Sequence, residues 1–571
     1  MERSDSIPTP LKLAEERLGP LPIVNHFLER LGLERLFEMH VPVTDDRCSL
    51  PPAKALGVLV RSIAVEREPI YRHYETVSGF SPGAFGLNSR QVEKLKDDQL
   101  GRALDRLFDA DRGTLLTELV VAVTREFDVA MKELHNDTTT IKFTGQYAQA
   151  RGRWIRRRRA PWITYGYSKD HRGDLKQLLF IMTTSADGNI PVQFRCGDGN
   201  TSDVSTHIET WEALRKAIGR ADFLYVGDSK LCAYETLRYI DRHGGRLVTV
   251  MPRTRAEDGY FRKWIQDNDP AWECVWDRRN PRRKYGPRDR WYVYKYHGLS
   301  QEGWPIVWVW STLLAHKQKR SRAERIEHAQ EELRELDRRL QGSRPRRRSQ
   351  KEIADRFEEI LDRLKVGRYL RVTIWQEEIH RFRQETRGRP GPNTRYLKET
   401  RHRPRIRWEI VQDVVKYDER SDGMYPLLTN VDSLSPAQVL AAHKRQPGIE
   451  KRFEQIKTVH EIAPVFLKNE GRVEAFFFLY FVALLVQALI ERELRKAMDR
   501  EEIQDLPIYP EERECKRPTS EQIFRLFGRA ERHVLRSGAD VVQVFEPEFT
   551  EVQTQVLRLL GVPLRRYTSH P

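Results

Sequence analysis

Four residues have types and spacings suited to chemistry on a phosphate. Asp137 stands in the middle of MKELHNDTTTIKFTG, a threonine-rich run whose polar–apolar alternation predicts a strand. Asp228 closes ADFLYVGDSKL, a short apolar strand, just before a loop. Sheets flanked by helices place their sites at such carboxyl ends. Glu450 and Lys457 lie in GIEKRFEQIK, on a predicted helix whose inward face carries Ile449, Phe453 and Ile456 at i, i+4 and i+7. Glu450, Glu454 and Lys457 repeat those steps on a neighbouring face. A carboxylate with a lysine two turns away suits a site combining metal and phosphate, and the same spacing also describes an ordinary charged helix surface. Asp170 and Asp174 in SKDHRGD, and Asp203 in GNTSD, are rival acids whose positions suit turns and caps. The histidines form no HxxxH or HxH pair and there is no GxxxxGK[ST] loop, which argues against a zinc site and a nucleotide-binding P-loop.

The charge around these acids is strongly positive. Over 571 residues, 99 Lys and Arg against 83 Asp and Glu give a net charge of +16. Six arginines fall in Arg151–Arg159 (RGRWIRRRR), including Arg156, Arg157 and Arg158. Four more lie in SRPRRRS at 343–349, and a third patch, TRGRPGPNTR, holds Arg387 and Arg389. Arginine clusters neutralise phosphates and release counterions, and a Gly-Arg-Pro core suits a narrow AT-rich minor groove. Any single run is better read as a solvated loop; three together shift the balance towards DNA.

The elements that must position these groups can be read along the chain. Residues 1–130 predict an all-helical domain, with LPIVNHFLERLGLERLFEMH apolar at helical spacing and a helix opening at Pro51-Pro52. From 131 to 254, strands come first in hairpins and then alternate with helices, with Asp187-Gly188 as a turn; this pattern argues a mixed sheet flanked by helices. Residues 255–425 interrupt that sheet. There, Ile326, Ala329, Leu333, Leu336 and Leu340, followed by Ile353, Phe357, Ile360 and Leu364, predict an antiparallel helical hairpin over about 317–366 with a basic tip. Residues 426–500 return to the sheet and bring the Glu450 helix. They end in AFFFLYFVALLVQALI, a run too short for a bilayer span of about 20 residues and therefore read as a buried helix, with no membrane partner. Residues 501–571 predict a helical tail containing TSEQIFRLFGRAERHVL. Five scattered cysteines without a CxxC pair exclude a disulfide framework and a zinc ribbon and fit a reducing cytoplasm. No apolar leader opens the sequence.

Taken together, LHNDTTT, YVGDSKL and GIEKRFEQIK, in that order, resemble the catalytic motifs of DDE insertion-sequence transposases. The resemblance is to the IS-four-type group, in its branch with a helical insertion before the last glutamate. GYSKDHRGDLKQLLF with DGNTSDVST is similar to that branch's first hairpin, DGMYPLLTN to the strand before its last catalytic helix, and LGPLPIVNHFLERLGL with DDQLGRALDRLFDAD to its N-terminal domain. The likeness covers about residues 15–490. Of the group's Y-(2)-R-(3)-E-(6)-K signature, Glu450 and Lys457 are kept, which favours Glu450 over Glu454 as the third acid. His443 replaces the tyrosine, and Gln446 the arginine with Arg445 beside it.

The resemblance implies a mixed α/β, ribonuclease-H-like catalytic core with an insertion domain. It also implies a cytoplasmic, nucleoid-associated bacterial enzyme that binds terminal inverted repeats and target DNA as a homodimer. Phosphodiester cleavage needs an activated nucleophile, a stabilised anionic phosphorus and a charged leaving oxygen, all of which two Mg²⁺ ions (or Mn²⁺ in their place) about 4 Å apart supply. The expected ligands are Asp137 bridging both ions, Asp228 on one and Glu450 on the other. DNA would be contacted by Lys457, Arg445, His443 and the arginines at 156–158, 387 and 389. A metal-dependent nuclease without strand transfer, and a copy that only binds DNA, are the alternatives.

Overall fold

The computed structural model describes residues 11–41, 49–66, 68–167, 172–201, 203–279, 286, 288–341, 349–463, 467–538 and 540–568. The basic tip of the helical hairpin and Asp170 lie outside them, as does the side chain of Asp203. The chain divides into two compact units of mixed α/β structure. The first comprises Met1–Thr249, Thr429–Val431 and Ala441–Pro571, and the second Val250–Leu428 and Asp432–Leu440.

In the first unit, the strand Glu133–Phe143 is the centre of a sheet. Lys176–Ser185 pairs antiparallel with it over ten positions, and Pro191–Gly197 pairs antiparallel beyond that. On its other side run Leu224–Gly227 and then Arg246–Val250, both parallel. The connections explain the change of direction. The outer hairpin closes through a tight turn where Gly188 has φ 76° and the Arg492 side chain lies 2.9 Å from any added Cβ, so only glycine fits. The parallel strands are reached through the helices Asp203–Ile218 and Tyr234–Arg242, as parallel pairing requires. Leu178, Phe180, Met182, Val226 and Leu247 are all buried.

The apolar run at 475–490 belongs to a helix, Glu470–Arg500, that is long and apolar enough to cross a membrane, with 89% of its most apolar window buried within the protein. It packs against Pro52–Val65, Asp97–Asp109 and Leu21–Arg30. Each of its buried leucines and phenylalanines contributes about 1.5–3 kcal/mol. Gln487, the one polar residue of the run, is 1% exposed and bonded at both ends of its amide: its Nε2 donates to Ala64 O, and its Oε1 lies 2.7 Å from both Gln455 Nε2 and His460 Nε2.

Both ends of the chain depart from the helical expectation. Leu11–Arg17 is a strand, paired antiparallel with Glu531–Ser537, which in turn pairs with Asp540–Phe545. The N-terminal region is thus helical only from Leu21 onward. In the tail, the expected helix stops at Phe527, after which Arg532 and Val534 are buried in the strand. Alternation of buried and exposed positions in ERHVLRS overrides a short helical reading. The run WITYGYS forms isolated bridges at Trp162 and Thr164 instead of a strand.

The second unit has its own antiparallel strands, Met424–Thr429, Pro305–Ser311, Asp289–Leu299 and Glu273–Arg278, in that order. From it run the helices Thr312–Leu340 and Gln350–Leu364. The heptad stripe does not merely hold the two helices together. Ala329, Leu333 and Ile353 share one core with Leu370 and Ile406, from the base of a long two-stranded ribbon, Leu370–Gln384 and Tyr396–Ile410. From the sequence, only the basic patch at 386–395 marks this ribbon.

Candidate functional site

The register of the central strands brings the first two acids together. Glu133, Leu134 and His135 pair with Leu224, Tyr225 and Val226. Continued by two places, past the end of Leu224–Gly227, that register lines Asp228 up with Asp137, on strands that run about 4.8 Å apart in the hydrogen-bonding direction. Both are half-buried. Asp137 Oδ1 accepts from Thr138 N at 2.7 Å, and Asp228 Oδ1 from Lys230 N at 3.0 Å. The Asp228 carbonyl accepts from Thr249 Oγ1 at 2.6 Å, which fixes the turn after its strand to the next strand.

The Glu450 helix, Pro447–Glu454, is fastened to the Asp137 strand by the residue just before it. Gln446 is 7% exposed. Its Oε1 lies 2.9 Å from His135 Nδ1, and its Nε2 donates to Asn136 O at 3.1 Å. The other ring nitrogen of His135 lies 2.8 Å from Glu133 Oε1. Glu133 also receives Arg445 through both carboxylate oxygens at 2.5 Å. Burial pushes the Glu133 carboxyl up, but hydrogen bonds from His135 and Arg445 and the Arg445 charge outweigh it and hold it down at about 2. Four side chains from strand and helix therefore form one clamp two residues from Asp137 and four from Glu450.

The far side of the same helix is anchored too. Arg452, 5% exposed, donates to Glu491 Oε2 at 2.9 Å and to the carbonyls of Gly188 and Asn189. Gly448 approaches Asn189 so closely that a Cβ would lie 2.0 Å from Oδ1. Glu450 and Glu454 remain exposed. After Glu454 the helix widens into a π turn, Gln455–Val459, closed by His460 N to Gln455 O at 2.8 Å. Such turns recur at functional sites. Lys457, half-buried in this turn, is thus displaced from the i+7 position an unbroken α-helix would give it.

Among the described residues, no three His, Cys, Asp or Glu side chains converge closely enough to hold an ion. The extended register lines up Asp137 with Asp228, and the Glu450 carboxylate does not complete a cluster with them. His443 is half-buried, and burial, then Lys444 and His135, lower its pKa to about 4, so it is neutral at pH 7. On the opposite face of the strand, Asn136 accepts from Thr183 Oγ1 at 2.9 Å and sits 3.4 Å from His207, whose pKa burial lowers to about 4. Sequence reasoning missed Glu133, His135 and this use of Gln446. The available signal was the alternation E-L-H-N-D, which puts Glu133, His135 and Asp137 on one face.

The arginine run at 151–159 folds into a small hairpin, Trp154–Ile155 against Arg158–Arg159, with Arg156 at φ 54° in the turn. Half of the run is internal stapling: Arg153 bonds Glu470, Arg156 bonds Asp109, and Arg159 bonds Asp198. Arg157 and Arg158 form no ion pair among the described residues. Arg387 and Arg389 are exposed between the ribbon strands.

Comparison with known proteins adds the following. Residues 13–121 match a family described as a domain of unknown function, DUF4277. No curated protein matches the chain. Among solved structures, a cryo-EM structure of the piggyBac transposase synaptic complex with hairpin DNA matches at 11% identity and a TM-score of 0.24, over 52% of this chain and 63% of that one. The chain therefore spans less than two thirds of that structure's length.

Proposed function

We propose that this protein is a DNA transposase of the DDE type, with a ribonuclease-H-like catalytic core. In this reading it binds the terminal inverted repeats of its element, cleaves there and joins the 3′-hydroxyls to target DNA as a dimer. The observation that carries the reading is the parallel register of Glu133–His135 with Leu224–Val226, which extended two places lines Asp228 up with Asp137, with the Glu450 helix clamped to the Asp137 strand through Gln446. The sheet order supports it: an antiparallel hairpin on one side of the Asp137 strand and parallel strands on the other.

The donor set fits a hard divalent cation. Two adjacent carboxylates, with a third on the clamped helix, offer oxygen ligands of the kind Mg²⁺ takes while keeping several waters. Such ions, when bound, supply nucleophile activation and stabilisation of the phosphoryl charge. The chain's own residues do the rest. Asp137 and Asp228 present their oxygens from a rigid sheet, the clamp fixes where the Glu450 helix starts, and Lys457 offers a cation to the DNA backbone. Of the arginines expected to contact DNA, Arg157, Arg387 and Arg389 are exposed and Arg158 is half-buried, and none of the four is held in an ion pair among the described residues. Arg445 is bonded to Glu133, Arg156 is bonded to Asp109, and His443 is neutral.

The test is cleavage and joining of labelled duplexes carrying the element's ends, with Mg²⁺ or EDTA. Wild type should nick at the boundary and give joined products. Asp137→Asn and Asp228→Asn should each lose both activities yet bind DNA as before, and cleavage by either variant would sink the assignment. Nicks without joined products would mean a nuclease. The signature of a DNA-binding protein without catalysis is specific binding of the ends without any nick.

A further inference from the structure

The ribbon of the second unit is built to reach outward. Its strands, Leu370–Gln384 and Tyr396–Ile410, are fifteen residues each, about 50 Å at ~3.4 Å per residue. The base is held: Leu370 and Ile406 are buried against the helical hairpin, with Val372, Ile374, Trp408 and Ile410 beside them. Beyond it the covering ends. From Glu378 to His402 every residue is exposed except Ile379, Gln384 and Thr394, which are half-buried. Two strands alone are marginal in water, and these also leave Phe382 62%, Tyr396 52% and Leu397 44% exposed. A solvated, partnerless strand pair has no reason to keep them.

The charge says what the partner is. Residues 370–410 hold eleven Arg and Lys against five Glu. The register pairs Ile379 with Arg401, Arg381 with Glu399 and Arg383 with Leu397, so Arg381, Arg383 and Arg401 share one face. Internal pairing is confined to part of the set. Arg371 bonds Glu409, Arg405 bonds Asp337 and Glu377, Arg403 reaches Gln341, and Arg401 bonds Glu399. Among the described residues, Arg381, Arg383, Arg387, Arg389 and Arg395 have no ion pair.

We propose that this ribbon is a duplex-DNA-binding arm: the Arg381–Arg383 face lies along the phosphate backbone, and the Arg387-Gly-Arg389-Pro tip enters the minor groove. A two-stranded ribbon is narrow enough to follow a DNA groove. Arginines held apart from carboxylates keep their full charge for phosphates, and an Arg flanked by Gly and Pro is slim enough for a narrow AT-rich minor groove. Apolar side chains near the tip are of the type that wedge between base steps. The inference rests on the DNA-processing reading above and goes further by assigning the contact to a surface distinct from the carboxylates.

The experiment uses the full chain and three variants: Arg381→Ala/Arg383→Ala, Arg387→Ala/Arg389→Ala, and the base control Arg371→Ala. Binding to AT-rich and GC-rich duplexes is followed by fluorescence anisotropy between about 50 and 200 mM salt. Each lost phosphate contact lowers the slope of log K against log salt by about 0.9, so the face variant should lose about 1.8. The tip variant should lose the preference for the AT-rich duplex, and the control should match wild type. Wild-type slopes and preference in both arm variants overturn the proposal. So does a change in sedimentation with DNA binding intact, because the occupant would then be a second copy. Wild-type slopes in variants that still nick with Mg²⁺ remove the arm and leave the transposase reading. Lost slope in a chain that never nicks does the reverse.

Discussion

Replacing Glu133 by Gln tests whether the clamp holds the Glu450 helix to the Asp137 strand. The Glu133 side chain is 16% exposed and its carboxyl is held at about 2, against an ordinary 4.5. A depression of that size corresponds to about 3 kcal/mol of stability at neutral pH. The sign follows from linkage: the unfolded chain binds the proton more readily, so the contribution is complete above pH 4.5 and disappears as pH falls through 2. Glu133→Gln keeps the shape and one acceptor but removes the charge that Arg445 and His135 face. Urea unfolding of both proteins, followed by tryptophan fluorescence at a series of pH values, should show the variant about 3 kcal/mol less stable at pH 7. The gap should narrow steadily below pH 4.5. Groups that titrate alike in both proteins cancel in the difference. A gap that stays constant with pH, or none at pH 7, would refute the claim that a buried, charge-assisted network ties these elements together.

Other outcomes follow from the same accounting. Gln487→Leu removes the amide oxygen that Gln455 Nε2 and His460 Nε2 face at the π turn, leaving Gln455 with Ser520 Oγ at 3.1 Å, and removes the donor to Ala64 O. It should cost about 2–4 kcal/mol in denaturant unfolding, and a neutral result would show the bonds are not made. Leu333→Ala, in the core shared by the helical hairpin and the ribbon, should cost about 2–5 kcal/mol. It should also speed proteolysis within 370–410, whereas unchanged cleavage there would mean the base is held by something else.

What the sequence made legible is what has a period or a strong local signal. Alternation around Asp137, the Asp187-Gly188 turn and the heptad stripe through Leu333 each depend on neighbours a few residues away, and each appears where spacing put it. The long ribbon was hidden because its distal half buries nothing: strand patterns are read from apolar alternation, and YLKETRH at 396–402, exposed throughout, has none. The strand Leu11–Arg17 pairs with residues more than five hundred positions away, a contact that no local window contains. The site was legible as residue types and as the register of two aspartates. It was not legible as a clamp, because Glu133, His135 and Gln446 meet only once helix and strand have docked.

Position 446 shows most directly how this chain departs from the transposase pattern it resembles. That pattern has an arginine there; here a glutamine points inward and satisfies a ring nitrogen and a carbonyl at once. An amide can do this because it carries both an acceptor and donors, whereas a guanidinium carries donors only. Gln446→Arg should therefore leave His135 Nδ1 without its acceptor and crowd a cation into a site that is 7% exposed. It should destabilise the protein by more than the volume-conserving Gln446→Met, itself expected to cost about 2–4 kcal/mol for two buried bonds. Neither change should tighten DNA binding. If Gln446→Arg instead folds as stably as wild type and binds DNA more tightly, then position 446 faces the substrate, the clamp is wrong, and the helix that carries Glu450 is positioned by other means.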